Sequence, residues 1–208
     1  MDTFAAIADE RRALAALLTG LTDEQQRTPS LCEQWSVHEV AAHLVVPLEV
    51  SIPKFAVAMV AARGSFDRAN VRLAREQARR PLAELAGVLR DRAESRFTPP
   101  GLGPEAPLTD LIVHGLDIRW PLGLARDVPG ERLTATLEFL TVTQHGSFVP
   151  KGAADGLRFE ADDLDWAHGD GPVVRGSAEA LLLAITGRTA ALDHLGGDGV
   201  AALRDRIA

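Results

Sequence analysis

The stretch "TDLIVHGLDIRWPLG", residues 109–123, sets two acids and a histidine into a segment otherwise rich in Leu, Ile and Val. It reads as a helix over about residues 108–119, stopped by Pro121. In a helix, residues four apart lie one above the other on the same face. Asp110 and His114 therefore converge, and Asp117 follows three residues later near the same stripe. A carboxylate oxygen and an imidazole nitrogen side by side suit zinc or another borderline divalent cation. The same spacing also serves a plain hydrogen bond on a helix surface or in a core.

Two ligands hold a metal poorly, so a third must come from elsewhere. His43 is the best candidate, because it lies in an apolar helical segment between Ala42 and Leu44. A bare imidazole there needs a partner, which an ordinary core hydrogen bond would also satisfy. Three protein ligands leave a fourth position open, the pattern of a catalytic zinc. A metal-bound thiol is deprotonated outright, so such a site can activate an exogenous thiol at neutral pH. Cys32 is not needed for this chemistry but is a competing ligand. Asp117 reads as an acid that orients a ligand histidine, with helix-end solvation as the rival reading.

Working outward, the first half of the chain is helical in pattern. Phe4, Ile7, Ala8, Leu14, Leu17 and Leu18 keep close to a 3.6-residue period, and Gly20 is a natural stop. Ser36 followed by Glu39 is a capping box, so a helix starts at Val37 and carries His43. Pro47 and Pro53 are expected to kink or interrupt it. Asp67 reads as the N-cap of a third helix, and Pro81 as the first residue of a fourth. The loop "FTPPGLGPEAP" can be neither helix nor strand interior. One more helix is expected at "ERLTATLEFLTVTQ", and the sum is a helical bundle.

The texture changes after "GSFVPKGAADG". "LRFEAD" and the region of "LDWAHGDGPVVRG" alternate apolar and polar residues, with a Gly-Asp-Gly turn, and predict two or three short strands. Ser177 is expected to cap "AEALLLAITGR", and Asp198 to cap a last helix. The predicted division is residues 1–150, a helical bundle, and residues 151–208, too small for an ample core of its own.

Composition narrows the functions. The chain has 208 residues, 46% hydrophobic and 25% charged, with a formal charge of -7. An acidic chain has no general attraction to phosphate backbones, so nucleic acid is not an expected partner. The greasiest stretch, residues 45–62, is broken by Pro47, Glu49, Pro53 and Lys54, and no membrane partner is expected. The start "MDTFAAIADERR" has acids where a signal peptide needs positive charge, which points to a cytoplasmic protein. The single Cys32 leaves no internal disulfide. Only Lys54 and Lys151 are lysines among 22 basic residues, a bias that hints at a GC-rich genome.

The pair "LCEQWSVHEVAAHLV" and "LTDLIVHGLDIRWPLG" resembles the mycothiol-dependent maleylpyruvate isomerase family, within the DinB-like metal-binding superfamily. The matching residues are Trp35, Ser36, Val37, Ala42, His43 and Leu44, then Asp110, His114, Asp117, Ile118, Pro121 and Gly123. "FDRANVRLAREQ", with Asn70, and the tail "VVRGSAEALLLAITGR" extend the likeness over nearly the whole chain. The resemblance implies a mainly α fold, a DinB-like four-helix bundle followed by a small C-terminal α/β domain. It implies a divalent metal, usually zinc, on His43, Asp110 and His114, with mycothiol, an actinobacterial thiol, as cosubstrate. In the isomerase of that family a thiolate adds to a conjugated cis double bond. The bond rotates as a single bond, and the thiol leaves with the trans isomer formed. One departure is Asp110, where that isomerase has Glu.

The resemblance also marks Arg188, whose guanidinium fork suits a carboxylate of substrate or thiol. Decoration of a helix end is the plainer reading. Arg119 and Arg175 are weaker candidates. His38, His145, His168 and His194 read as solvated or capping residues. Trp35 and Trp120 read as core, either of them able to wall a pocket. The expected function is a metal- and mycothiol-dependent isomerase or S-transferase acting on a small electrophile. The alternatives are a non-enzymatic metal- or ligand-binding member and a metal-dependent hydrolase.

Overall fold

The computed structural model describes residues 1–32, 35–125, 128–143 and 148–207. His145 lies outside them. The chain forms two compact units, residues 2–125 and residues 126–208. The first is all helix: α1 (Thr3–Thr19), α2 (Asp23–Arg27), α3 (Val37–Glu49), α4 (Ile52–Ala61), α5 (Phe66–Gln77), α6 (Leu82–Asp91) and α7 (Glu105–Arg119).

Local chemistry sets most helix ends. Asp2 accepts from the Phe4 and Ala5 amides, and α1 ends on Gly20. At α3 both halves of the capping box form: Ser36 accepts from the Glu39 amide, and Glu39 reaches back to the Ser36 N–H. Pro47 is tolerated inside α3, which continues to Glu49. The interruption falls at Val50 and Ser51, and Ser51 then caps α4 with Pro53 in its first turn. Ser65, not Asp67, caps α5, and Asp67 sits in the first turn. Pro81 is the N-cap of α6 rather than its first residue. The helix of the opening stretch starts earlier than expected, at Glu105.

Four of these helices close a ring. α1 packs on α6 and α7, and α3 packs on the same two; α5 then lies against α3, and α4 against α5. The core is aliphatic, with Ile7, Leu14, Leu18, Leu85, Leu89, Leu108 and Ile118 almost wholly buried. Truncating any one of these leucines to Ala would cost about 2–5 kcal/mol. Gly115 leaves room for the Arg119 guanidinium of its own helix, since a Cβ there would lie 2.9 Å from Arg119 Nη1.

The second unit contains α8 (Gly130–Thr143), β1 (Arg158–Ala161), β2 (Ala167–His168), β3 (Val173–Gly176), α9 (Ala178–Ile185), a 3-10 turn at Thr189–His194 and α10 (Val200–Ile207). The strand order is β2-β1-β3, with β2 antiparallel and β3 parallel to β1. The alternation after residue 150 thus marks a real sheet, while the compact unit also takes in α8, which packs on α9. In the Gly-Asp-Gly turn, Gly169 has φ +81, and a Cβ there would lie 2.3 Å from the Leu157 carbonyl oxygen. Only glycine fits that approach. Ser177 caps α9 through the Ala180 amide. Asp198 is used differently from expectation: its carboxylate accepts from the Val173 amide and ties down the start of β3.

The capping box gives the first prediction. Ser36→Ala removes the acceptor for the Glu39 amide and should destabilise the chain by about 1 kcal/mol in urea unfolding. The far-UV circular dichroism of the native state should be unchanged.

Candidate metal centre

α3 carries one ring and α7 the rest of the cluster. Because α3 and α7 pack on each other, His43 comes level with the Asp110–His114 turn of α7. The His43 and His114 rings stand edge-to-face with centroids 4.8 Å apart. Asp110 Oδ1 lies 3.6 Å from His43 Nε2 and 3.5 Å from His114 Nε2. One donor atom from each of the three residues falls within 4.8 Å of the others.

These separations bear on the two readings of the spacing. At 3.5–3.6 Å neither contact is a good hydrogen bond. Two ligands sharing a tetrahedral zinc stand about 3.4 Å apart, from bond lengths near 2.0–2.2 Å. The two Asp110–imidazole separations are therefore compatible with a shared ion. The Asp side chain, one methylene shorter than Glu, already reaches both rings.

Asp117 does the orienting work expected of it. Its carboxylate is fully buried and accepts from His114 Nδ1 at 2.8 Å. An ionised carboxylate can only accept, so the Nδ1 of His114 carries the proton. The Nε2 lone pair is then directed at Asp110 and His43, the tautomer a metal needs. His43 is held from another side: its ring packs against Trp35, with centroids 5.2 Å apart. Its Nδ1 is buried and makes no hydrogen bond. Pro47, four residues on, has no N–H for the His43 carbonyl.

A second donor set overlaps the first, made of Cys32, His114 and Asp117. It needs the Nδ1 of His114 or a different ring orientation, because that nitrogen already serves Asp117. The first set leaves the hydrogen bond intact and fits better.

Sequence reasoning missed Arg11, buried on α1. Its Nη1 donates to the Ala93 carbonyl at 2.9 Å and the Ser95 carbonyl at 2.7 Å, closing the end of α6. Burial pushes its guanidinium below the usual arginine value, while the charges of Asp110 and Glu94 pull it back up. Arg11 thus places a fixed positive charge in the field of Asp110. The signal was an arginine within the apolar period of α1, between Ile7 and Leu14.

The remaining candidates make the following contacts where they are described. Arg119 donates to the Gly115 carbonyl of its own helix. His38 Nε2 bonds the Arg80 carbonyl at 2.9 Å. Arg175 pairs with Glu160. His168 stacks on Trp166. His194 is exposed at the end of the 3-10 turn. Arg188 stands at the start of that turn in the second unit, donating to the Thr186 carbonyl at 2.7 Å.

A family profile described as the mycothiol maleylpyruvate isomerase N-terminal domain matches residues 7–119, a span that includes His43, Asp110 and His114. The chain belongs to the mycothiol maleylpyruvate isomerase family. Two solved structures share its fold. A crystal structure of a histidine-to-alanine mutant of the mycothiol-dependent maleylpyruvate isomerase matches with a TM-score of 0.54 and 18% identity. The crystal structure of the unmutated enzyme matches with 0.53 and 18% identity. In each case the alignment covers 95% of this chain and 96% of that one. At such identity the likeness establishes the fold. No curated protein matches the chain.

The carboxylate–imidazole pair is checkable without any metal. In chelator-treated protein, 15N spectra of the imidazoles should show His114 as the Nδ1–H tautomer. Asp117→Asn should remove that preference.

Proposed function

We propose that this family member is a divalent-metal-dependent enzyme that uses a low-molecular-weight thiol, mycothiol, on a small electrophilic substrate. The reaction class is thiol-assisted isomerisation or S-transfer. His43, Asp110 and His114 are the proposed ligands, and two imidazoles with one carboxylate favour zinc. The observation that carries the reading is Asp110 Oδ1 standing 3.5–3.6 Å from two Nε2 atoms, too far to bond and near enough to share an ion. When bound, the ion supplies a Lewis-acid position at which a thiol is held as thiolate at neutral pH.

The protein's own groups supply the rest. Asp117 fixes the His114 tautomer and supports its basicity. Trp35 holds the His43 ring and shields it on one side. The ligand residues are only 12–25% exposed, which keeps the centre poor in water while leaving it reachable. Arg188 is proposed to pair with a carboxylate of substrate or thiol, a role that rests on guanidinium chemistry and the family resemblance alone. A cytoplasmic setting and an actinobacterial source belong to the same reading, since the thiol is an actinobacterial one and the basic residues are nearly all Arg.

The direct test is elemental analysis of protein purified without chelator, joined to turnover with and without thiol. Near-stoichiometric metal is expected, and loss of it in His43→Ala and His114→Ala with the helical spectrum kept. Full metal in both variants would show the ligand set to be wrong. Turnover should require added thiol; thiol-independent turnover with the same metal would instead identify a hydrolase that activates water. Loss of all turnover in a metal-loaded protein would favour a non-enzymatic binding member.

Asp117→Asn should keep the metal but weaken it. A 10–100-fold loss of affinity is expected from the loosened His114 ring, read by competition with a chromogenic chelator.

A further inference from the structure

A second surface of the helical unit is apolar and exposed among the described residues. α4 contains one charged residue, Lys54, in ten. One of its faces is used: Ala58 is buried against Val46, Leu73 and Ala74, with Phe55 and Met59 half-covered beside them. The opposite face carries Ile52, Val57 and Val60, which are 78%, 70% and 80% exposed. Ala56 and Ala61 are exposed between them. A helix apolar on every side is normally covered on every side, and large exposed apolar patches mark contact sites.

The flank of this ridge is strongly positive. Residues 62–80 hold six arginines against two acids, in a chain whose net charge is -7. Arg68, Arg72, Arg75 and Arg79 follow at spacings of four, three and four, along one side of α5 and its continuation. Arg63 sits in the turn between α4 and α5 at φ 55, and no other non-glycine residue among those described has a positive φ. Arg63, Arg68 and Arg72, with Ala61 and Ala62, line a hollow of about 380 Å³. Arg68 is turned onto the Ala62 carbonyl. The side chains of Arg63 and Arg72 make no hydrogen bond or ion pair among the described residues. Of the nearby acids, Glu76 holds Lys54 and Glu49 holds Arg80, while Asp67 stands exposed in the first turn of α5.

We propose that α4 and the arginines of α5 form a peripheral docking surface for an anionic lipid bilayer. The aliphatic ridge enters the boundary between headgroups and acyl chains, and the guanidinium groups meet the lipid phosphates beside it. Ten helical residues span about 15 Å, half of a hydrocarbon core, so α4 lies along the surface rather than crossing it. Self-association through this face is opposed by charge. Symmetric pairing would bring arginines against arginines, with Asp67 the one acid of the stretch left to meet them. An amphipathic helix from a protein partner would need a groove, and α4 presents a ridge.

The test is co-sedimentation of the full chain with phosphatidylglycerol-rich vesicles and with pure phosphatidylcholine vesicles at low salt. Binding to the first and not the second is expected, weakening as salt rises. The double variant Val57→Glu/Val60→Glu should abolish it. Arg63→Gln/Arg72→Gln should weaken it roughly thirtyfold, at about one kcal/mol per arginine. All four side chains are exposed, so both variants should keep the native helical spectrum. No sedimentation with anionic vesicles, or sedimentation indifferent to both variants, overturns the proposal. So does a dimer in sedimentation velocity that Val57→Glu/Val60→Glu dissolves, which would assign the ridge to a second copy of the chain.

Discussion

The centre depends on the buried bond between His114 and Asp117. A histidine on a packed helix has two possible tautomers, and only one aims a lone pair where the donors of α3 and α7 converge. A carboxylate with no exposed surface, 2.8 Å from Nδ1, removes the choice. An unpaired carboxylate at that depth would be costly, so the bond also satisfies Asp117. The same contact sits within α7, whose residues are nearly all buried, so ring and acid have little freedom to swing. Everything proposed for the site follows from a His114 that can point only one way.

The second constraint is axial. His43 must arrive at the height of the Asp110–His114 turn, and that height is set by how α3 seats against α6 and α7. The Ser36–Glu39 box fixes where α3 begins, and Val37, Val40, Ala41 and Leu44 bury the face that sets its rotation. His43 falls on the edge of that buried face. Trp35, just before the cap, then closes against the ring from outside the helix. Cap, buried face and aromatic together place one imidazole.

Much of this was legible because it is local or periodic. The i,i+4 and i,i+3 spacings within α7 are fixed by helix geometry, so Asp110, His114 and Asp117 had to share a stripe. The capping box at Ser36, the Gly20 stop and the Ser177 cap are short-range chemistry of the same kind. His43 was legible only as a misfit, a polar ring in an apolar run, and its meeting with α7 is a tertiary fact that spacing cannot encode. Cap identity failed where two candidates lay within two residues, as with Ser65 and Asp67. It also failed where a side chain found a distant amide: Asp198 left the α10 end for β3. Arg11 was hidden because its partners are backbone carbonyls some eighty residues away, and carbonyls leave no trace in a sequence.

The exposed ridge of α4 shows a further limit of the same kind. Run length rightly excludes a crossing helix, and among the described residues no helix is long and apolar enough to cross a membrane. Run length says nothing of which apolar residues fail to find cover. The α4 pattern is apolar on both faces, and sequence alone would bury it all. Among the described residues, the packing order α3 to α5 to α4 leaves Ile52, Val57 and Val60 exposed. Trp35 packs against the apolar cluster beneath α4 and also touches His43, so one side chain joins the ridge's support to the proposed ligand.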